Sequence, residues 1–139
     1  MLQHTAQNAS AVPAFNVMLP VNPQLICDLV VSAFEGASVH WLRAATKKRS
    51  GPIKDRPWYA DASIYNAQLV IGVEYEDPDV PDEQATTFRI VTMADINRGM
   101  QLMAEKSLQH FADAVAGDWD ATTADVFFQY VVLGDVIYG

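Results

Sequence analysis

Apolar residues recur with helical spacing at Leu25, Ile26, Leu29, Val30, Ala33, Phe34, Ala37 and Trp41, the stripe of an amphipathic helix. Asn22 and Pro23 supply its start: the Asn side chain accepts from a first-turn amide, and a proline at the first helical position has no N–H to leave unpaired. The spacing predicts one long helix from Asn22 to about Ala45, with Gly36 weakening its middle. Further on, QLVIGVEYE and TTFRIV alternate or run apolar over strand lengths, with β-branched residues in both. Two prolines and four acids lie between them, which predicts a β-hairpin with a long acidic connection. A lone hairpin is marginal in water, so it must lean on the helices or pair with another strand.

Thr92-Met93-Ala94-Asp95 resembles a capping box, with Asp in place of Glu or Gln. From it Met93, Ile96, Met100, Met103, Ala104, Leu108, Phe111 and Val115 form one stripe ending at Gly117, a natural helix stop. A second start signal near Ser107 leaves open whether residues 92–117 form one helix or two. The final element begins at Thr122 or Thr123. Asp125 and Gln129 share one polar edge there, while Val126, Phe127, Phe128, Tyr130, Val131, Val132 and Leu133 cover nearly everything else. Of the thirteen residues from Val126 to Tyr138, ten are apolar. A membrane span takes about twenty such residues, and Gln129, Gly134 and Asp135 interrupt the run. A helix apolar on most sides belongs at the centre of a domain or at an interface.

These elements predict an α+β fold: a long N-terminal helix, a β-hairpin, a long amphipathic helix and a buried C-terminal helix. Residues 1–21 read as a flexible arm and residues 22–139 as one compact domain, large enough to bury a core without staples. The hairpin either packs across the helical layer or extends a sheet across a homodimer. The single cysteine, Cys27, sits inside an amphipathic pattern and reads as a small buried thiol. The N-terminus has no Lys or Arg and no uninterrupted apolar core, so no signal peptide is expected, and the chain is expected in the cytoplasm.

Motifs for chemistry are absent. His4, His40 and His110 are far apart, and the His110/Asp113 pair falls short of the three or four ligands that zinc takes. GPIKDRP lacks the glycines and GK[ST] ending of a phosphate loop, and neither GxGxxG nor GxSxG occurs. The expectation is therefore a non-enzymatic protein with no cofactor and no metal.

Charge is what stands out. Residues 1–73 carry six basic and four acidic side chains, whereas residues 74–139 carry three and thirteen, within a net charge of −8. The whole surface is thus unsuited to nonspecific nucleic-acid binding. Two local surfaces are candidates for a partner. One is basic: Arg43, Lys47, Lys48, Arg49, Lys54 and Arg56, bounded by Trp41, Trp58 and Tyr59, able to grip an acidic partner or single-stranded nucleic acid. The other is acidic: Glu74, Glu76, Asp77, Asp79, Asp82 and Glu83 on the hairpin and its loop, a local lure for a nucleic-acid-binding protein. Each also has an ordinary reading as a solvated loop.

The segments DRPWYADASIYNAQ, TMADINRGMQLMAEKSLQHFADAV and TADVFFQYVVLGDVIYG resemble a family of small bacteriophage and prophage proteins with a PWYAD-type loop and an ADVFFQ…GxVxYG-like tail. The resemblance covers about residues 22–139 and brings no site residues with it. It implies a viral accessory protein in the host bacterial cytoplasm that binds a host protein, the sharpest version being an anti-defence inhibitor such as an anti-CRISPR. The alternatives are a nucleic-acid-binding module using the basic loop 43–56, and a minor virion or assembly protein.

Overall fold

The computed structural model describes residues 12–47, 57–81 and 85–139. In chain order these form α1 (Pro23–Ser32), β1 (Leu42–Lys47), β2 (Val70–Tyr75), β3 (Thr87–Thr92), α2 (Met93–Lys106), α3 (Leu108–Ala116) and α4 (Ala121–Leu133). The strands make an antiparallel sheet in the order β1-β2-β3. The fold is mixed α+β.

α1 starts as its sequence requires, with Asn22 Oδ1 accepting from the Gln24 N–H at 2.9 Å and Pro23 following. It does not run to Ala45. The chain widens into a π-turn at Ala33–Ala37, in which Gly36 leaves helical geometry at φ 174°, ψ −48°. Leu42–Lys47 then extends and pairs with β2, Leu42 opposite Tyr75, Ala45 opposite Val73 and Lys47 opposite Ile71. A helix through Ala44 and Ala45 would gain under about 1 kcal/mol per residue from propensity. It would also strip β2 of its neighbour and leave a row of main-chain donors and acceptors bare. The ladder wins. The expected hairpin is therefore the second and third strands of a sheet, and the residues up to Lys47 form a strand.

The stripe over residues 92–117 resolves into two helices. Asp95 accepts the Thr92 N–H at 2.8 Å to open α2. Ser107 closes it at φ −137°, ψ 56°, outside helical geometry, and its hydroxyl hydrogen-bonds Tyr130 Oη at 2.7 Å. α3 ends on Gly117 at φ 77°, a left-handed position that glycine takes without penalty.

α4 fills the middle of the molecule. Asp120 caps it by accepting the Thr123 N–H, and every residue from Thr123 to Val132 is buried. α1 and α2 both pack on it. Phe128 meets Phe34 edge-on at 5.2 Å and lies 6.0 Å from Trp41. At the α2 crossing Gly99 faces Val131 so closely that a Cβ there would lie 2.9 Å from the Val131 nitrogen. Among the described residues no helix is long and apolar enough to cross a membrane.

Candidate partner-binding surface

Asp125 and Gln129 of α4 face inward and organise the core around them. Asp125 Oδ1 accepts from Ser38 Oγ at 2.7 Å and from Trp41 Nε1 at 2.8 Å, while Oδ2 accepts from Gln129 Nε2 at 2.9 Å. His40 Nε2 stands 3.7 Å from Oδ2. Gln129, fully buried, reads the main chain of the C-terminal tail. Its Oε1 accepts the N–H groups of Ile137 and Tyr138, and its Nε2 donates to the Tyr138 carbonyl, each at 2.8 Å. An amide side chain is suited to this because it donates and accepts at one end. The tail in turn lays Tyr138 parallel to Trp41, ring centres 6.3 Å apart. The sequence gives this cluster only one signal, an isolated Asp and Gln four residues apart inside an apolar run. Ser38 and Trp41 as their partners could not have been read from it.

That same tail braces the acidic end of the sheet. Tyr138 Oη donates to the Glu76 carbonyl at 2.9 Å, and the Glu76 N–H donates to the Trp41 carbonyl at 2.8 Å. Asp77 Oδ1 accepts the Asp79 N–H at 2.9 Å, and its Oδ2 accepts from Thr87 Oγ1 at 3.2 Å. Glu74 and Asp79 are exposed, Glu76 and Asp77 half-buried. The carboxylates are felt locally: burial, then Glu76 and Asp77, push the Tyr138 phenol up, with Arg43 partly opposing. Tyr75 is pushed up by burial first and then by Asp77.

Arg43 belongs to this acidic end. It extends from β1, donates to the Val39 carbonyl and pairs with Glu76. Lys47 lies further along the same strand, opposite Ile71. Trp58 and Tyr59 sit on a 3₁₀ turn, half-buried against Phe34 with ring centres at 6.0 and 5.0 Å, and Tyr59 Oη donates to Glu35 at 3.0 Å. The structure thus joins Arg43 to Glu76, buries Trp41 in the core instead of leaving it beside the basic residues, and does not bring Trp58 and Tyr59 into a stacked platform. Lys48, Arg49, Lys54, Arg56, Asp82 and Glu83 lie outside the described residues.

Two other features bear on binding. A depression of about 220 Å³ is lined by Phe34, Val39, Leu42, Arg43, Ala45 and Tyr59, smaller than the roughly 300–1,000 Å³ of small-molecule sites. Among the described residues no group of three or more His, Cys, Asp or Glu side chains could hold a metal ion. His110 bonds Thr123 through Nδ1, and Asp113 accepts from Gln109. The fold is α+β, with an acidic segment following the central strand β2. Comparison with family models, curated proteins and solved structures finds no match to this chain.

Proposed function

We propose that this chain is a non-enzymatic accessory protein of bacteriophage type that binds a host protein, in its sharpest form an inhibitor of a defence system. The observation that carries this reading is the acidic end of the sheet. Glu76, Asp77 and Asp79 follow β2 on a segment braced by Thr87, Tyr138 and Trp41, Glu74 is exposed on the strand just before them, and Arg43 pairs with Glu76. A patch held in place binds with less ordering cost than a mobile acidic loop, and its field favours a basic partner. A host surface built to hold nucleic acid has that chemistry.

The test is phage plating on bacteria with an active CRISPR or restriction system. Expression of the chain is expected to raise plating at least tenfold. Glu74→Lys with Asp79→Lys should abolish the gain while leaving the melting temperature unchanged, since both side chains are exposed. Plating that never rises removes the anti-defence version. A gain that survives the charge reversal removes the acidic surface as its cause.

A further inference from the structure

Among the described residues, two apolar surfaces lie open. The first is the arm before α1, where Val12, Phe15, Val17, Met18 and Leu19 are exposed, Phe15 at 87% and Met18 at 96%. Singly exposed apolar residues are ordinary, but five within eight positions are not. The second is the outer face of the sheet. Alternation along the strands buries Ile71, Val73 and Val91 and turns Val70, Phe88 and Ile90 outward, each about half exposed. Phe88 lies flat across Gly72, where a Cβ would come within 2.8 Å of its ring, and the ring reaches toward Thr46. The missing side chain lets the apolar stretch run from β3 toward β1, with the exposed Glu74, opposite Phe88, at its margin.

We infer that the arm of one copy lies across the outer sheet face of a second copy, giving an arm-exchanged homodimer. Four observations fix the occupant. Both surfaces are apolar and on the same chain. From residue 1 to Cys27 the sequence has no Asp, Glu, Lys or Arg. Two copies at −8 each repel, so contact is cheapest where the approaching segment adds no charge. Pro13 and Pro20 bracket the arm and hold it extended, which lowers the entropy lost on docking. Finally, α1 packs on α4, the π-turn and the 3₁₀ turns, so the arm leaves from the helical side rather than from the sheet. A second copy can present its face there without the arm crossing its own body. Each contact would cover eight large apolar side chains, and two symmetric contacts reach roughly 1,000 Å², the scale of a specific interface.

Sedimentation or light scattering on the full chain tests this. The wild type is expected at twice 15.3 kDa at micromolar concentration. Phe15→Asp and Phe88→Asp should each shift it to monomer with unchanged circular dichroism and melting, because both residues are exposed. Mixing the two variants should restore a weaker dimer, since one intact arm then meets one intact face. A monomeric wild type at 100 µM overturns the proposal, including the case in which the arm folds back on its own sheet. So does a dimer that survives Phe15→Asp but not Phe88→Asp, which is the mark of bare faces meeting. The plating test does not depend on this outcome, so the two readings fail separately.

Discussion

Gly99→Ala sets helix propensity against packing at one atom. In the middle of α2, alanine in place of glycine should stabilise by about 1 kcal/mol from backbone entropy and propensity alone. The added Cβ, however, would stand 2.4 Å from Val131 Cγ2, 2.9 Å from Val131 N and 3.0 Å from Val131 Cα. The valine methyl can rotate away. The main-chain atoms cannot, so α4 has to move. α4 is buried from Thr123 to Val132, and Val131 also offers its carbonyl to Arg98 Nη2 at 3.3 Å. Overpacking of this kind costs about 1–3 kcal/mol, occasionally more. Clash against main chain belongs at the upper end, so the net is a loss of about 1–2 kcal/mol. For a chain of this size that lowers the melting temperature by about 3–8 °C. Urea denaturation should show a reduced midpoint with unchanged slope. A variant that melts above the wild type would refute the reasoning, because it would mean that Gly99 does not set the α2–α4 spacing.

Gln129→Leu keeps volume but removes the three side-chain hydrogen bonds from α4 to Ile137 and Tyr138, and should cost about 2–4 kcal/mol; limited carboxypeptidase digestion should then release Tyr138 far faster than from the wild type. Asp95 supplies a pH dependence. Burial pushes its carboxyl up, but the Thr92 N–H and the Arg98 and Arg89 guanidiniums outweigh this and hold it below the ordinary value. A depressed folded-state pKa contributes stability above the unfolded value of about 4, which is lost as pH falls through the folded value. Asp95→Asn is therefore expected to be less stable than wild type at pH 7 by about 1–2 kcal/mol, with the gap closing below about pH 4 in urea titrations. A gap that stays constant from pH 7 to pH 3 would remove the carboxylate as its source.

Where the sequence speaks through local chemistry, the structure follows it. Asn22-Pro23, Thr92…Asp95 and Gly117 mark helix ends by groups that satisfy or release main-chain bonds within a few residues, and all three ends stand. The β-branched residues of Val70–Tyr75 and Thr87–Thr92 form strands as their pattern implies. β1 was illegible because Arg43-Ala44-Ala45-Thr46 has little strand preference of its own; it is a strand because β2 lies beside it. Gly36 was the one local hint that the helix would not continue. Of the candidate site residues, Glu74 lies on β2 and Glu76, Asp77 and Asp79 follow it, neighbours because they are neighbours in sequence. The pairing of Arg43 with Glu76, thirty-three positions away, depends on strand register, which composition does not encode.

The Gln129 clasp also has a consequence for how the chain is made. Ile137 and Tyr138 are translated after every other partner of that amide. Until they arrive, α4 holds a polar group in the core with its remaining partners missing, a state that costs free energy. A product cut before Ile137 therefore keeps the described helices and strands yet leaves Gln129 Oε1 without its two main-chain donors. Cellular proteases that sample opened chains would clear it first.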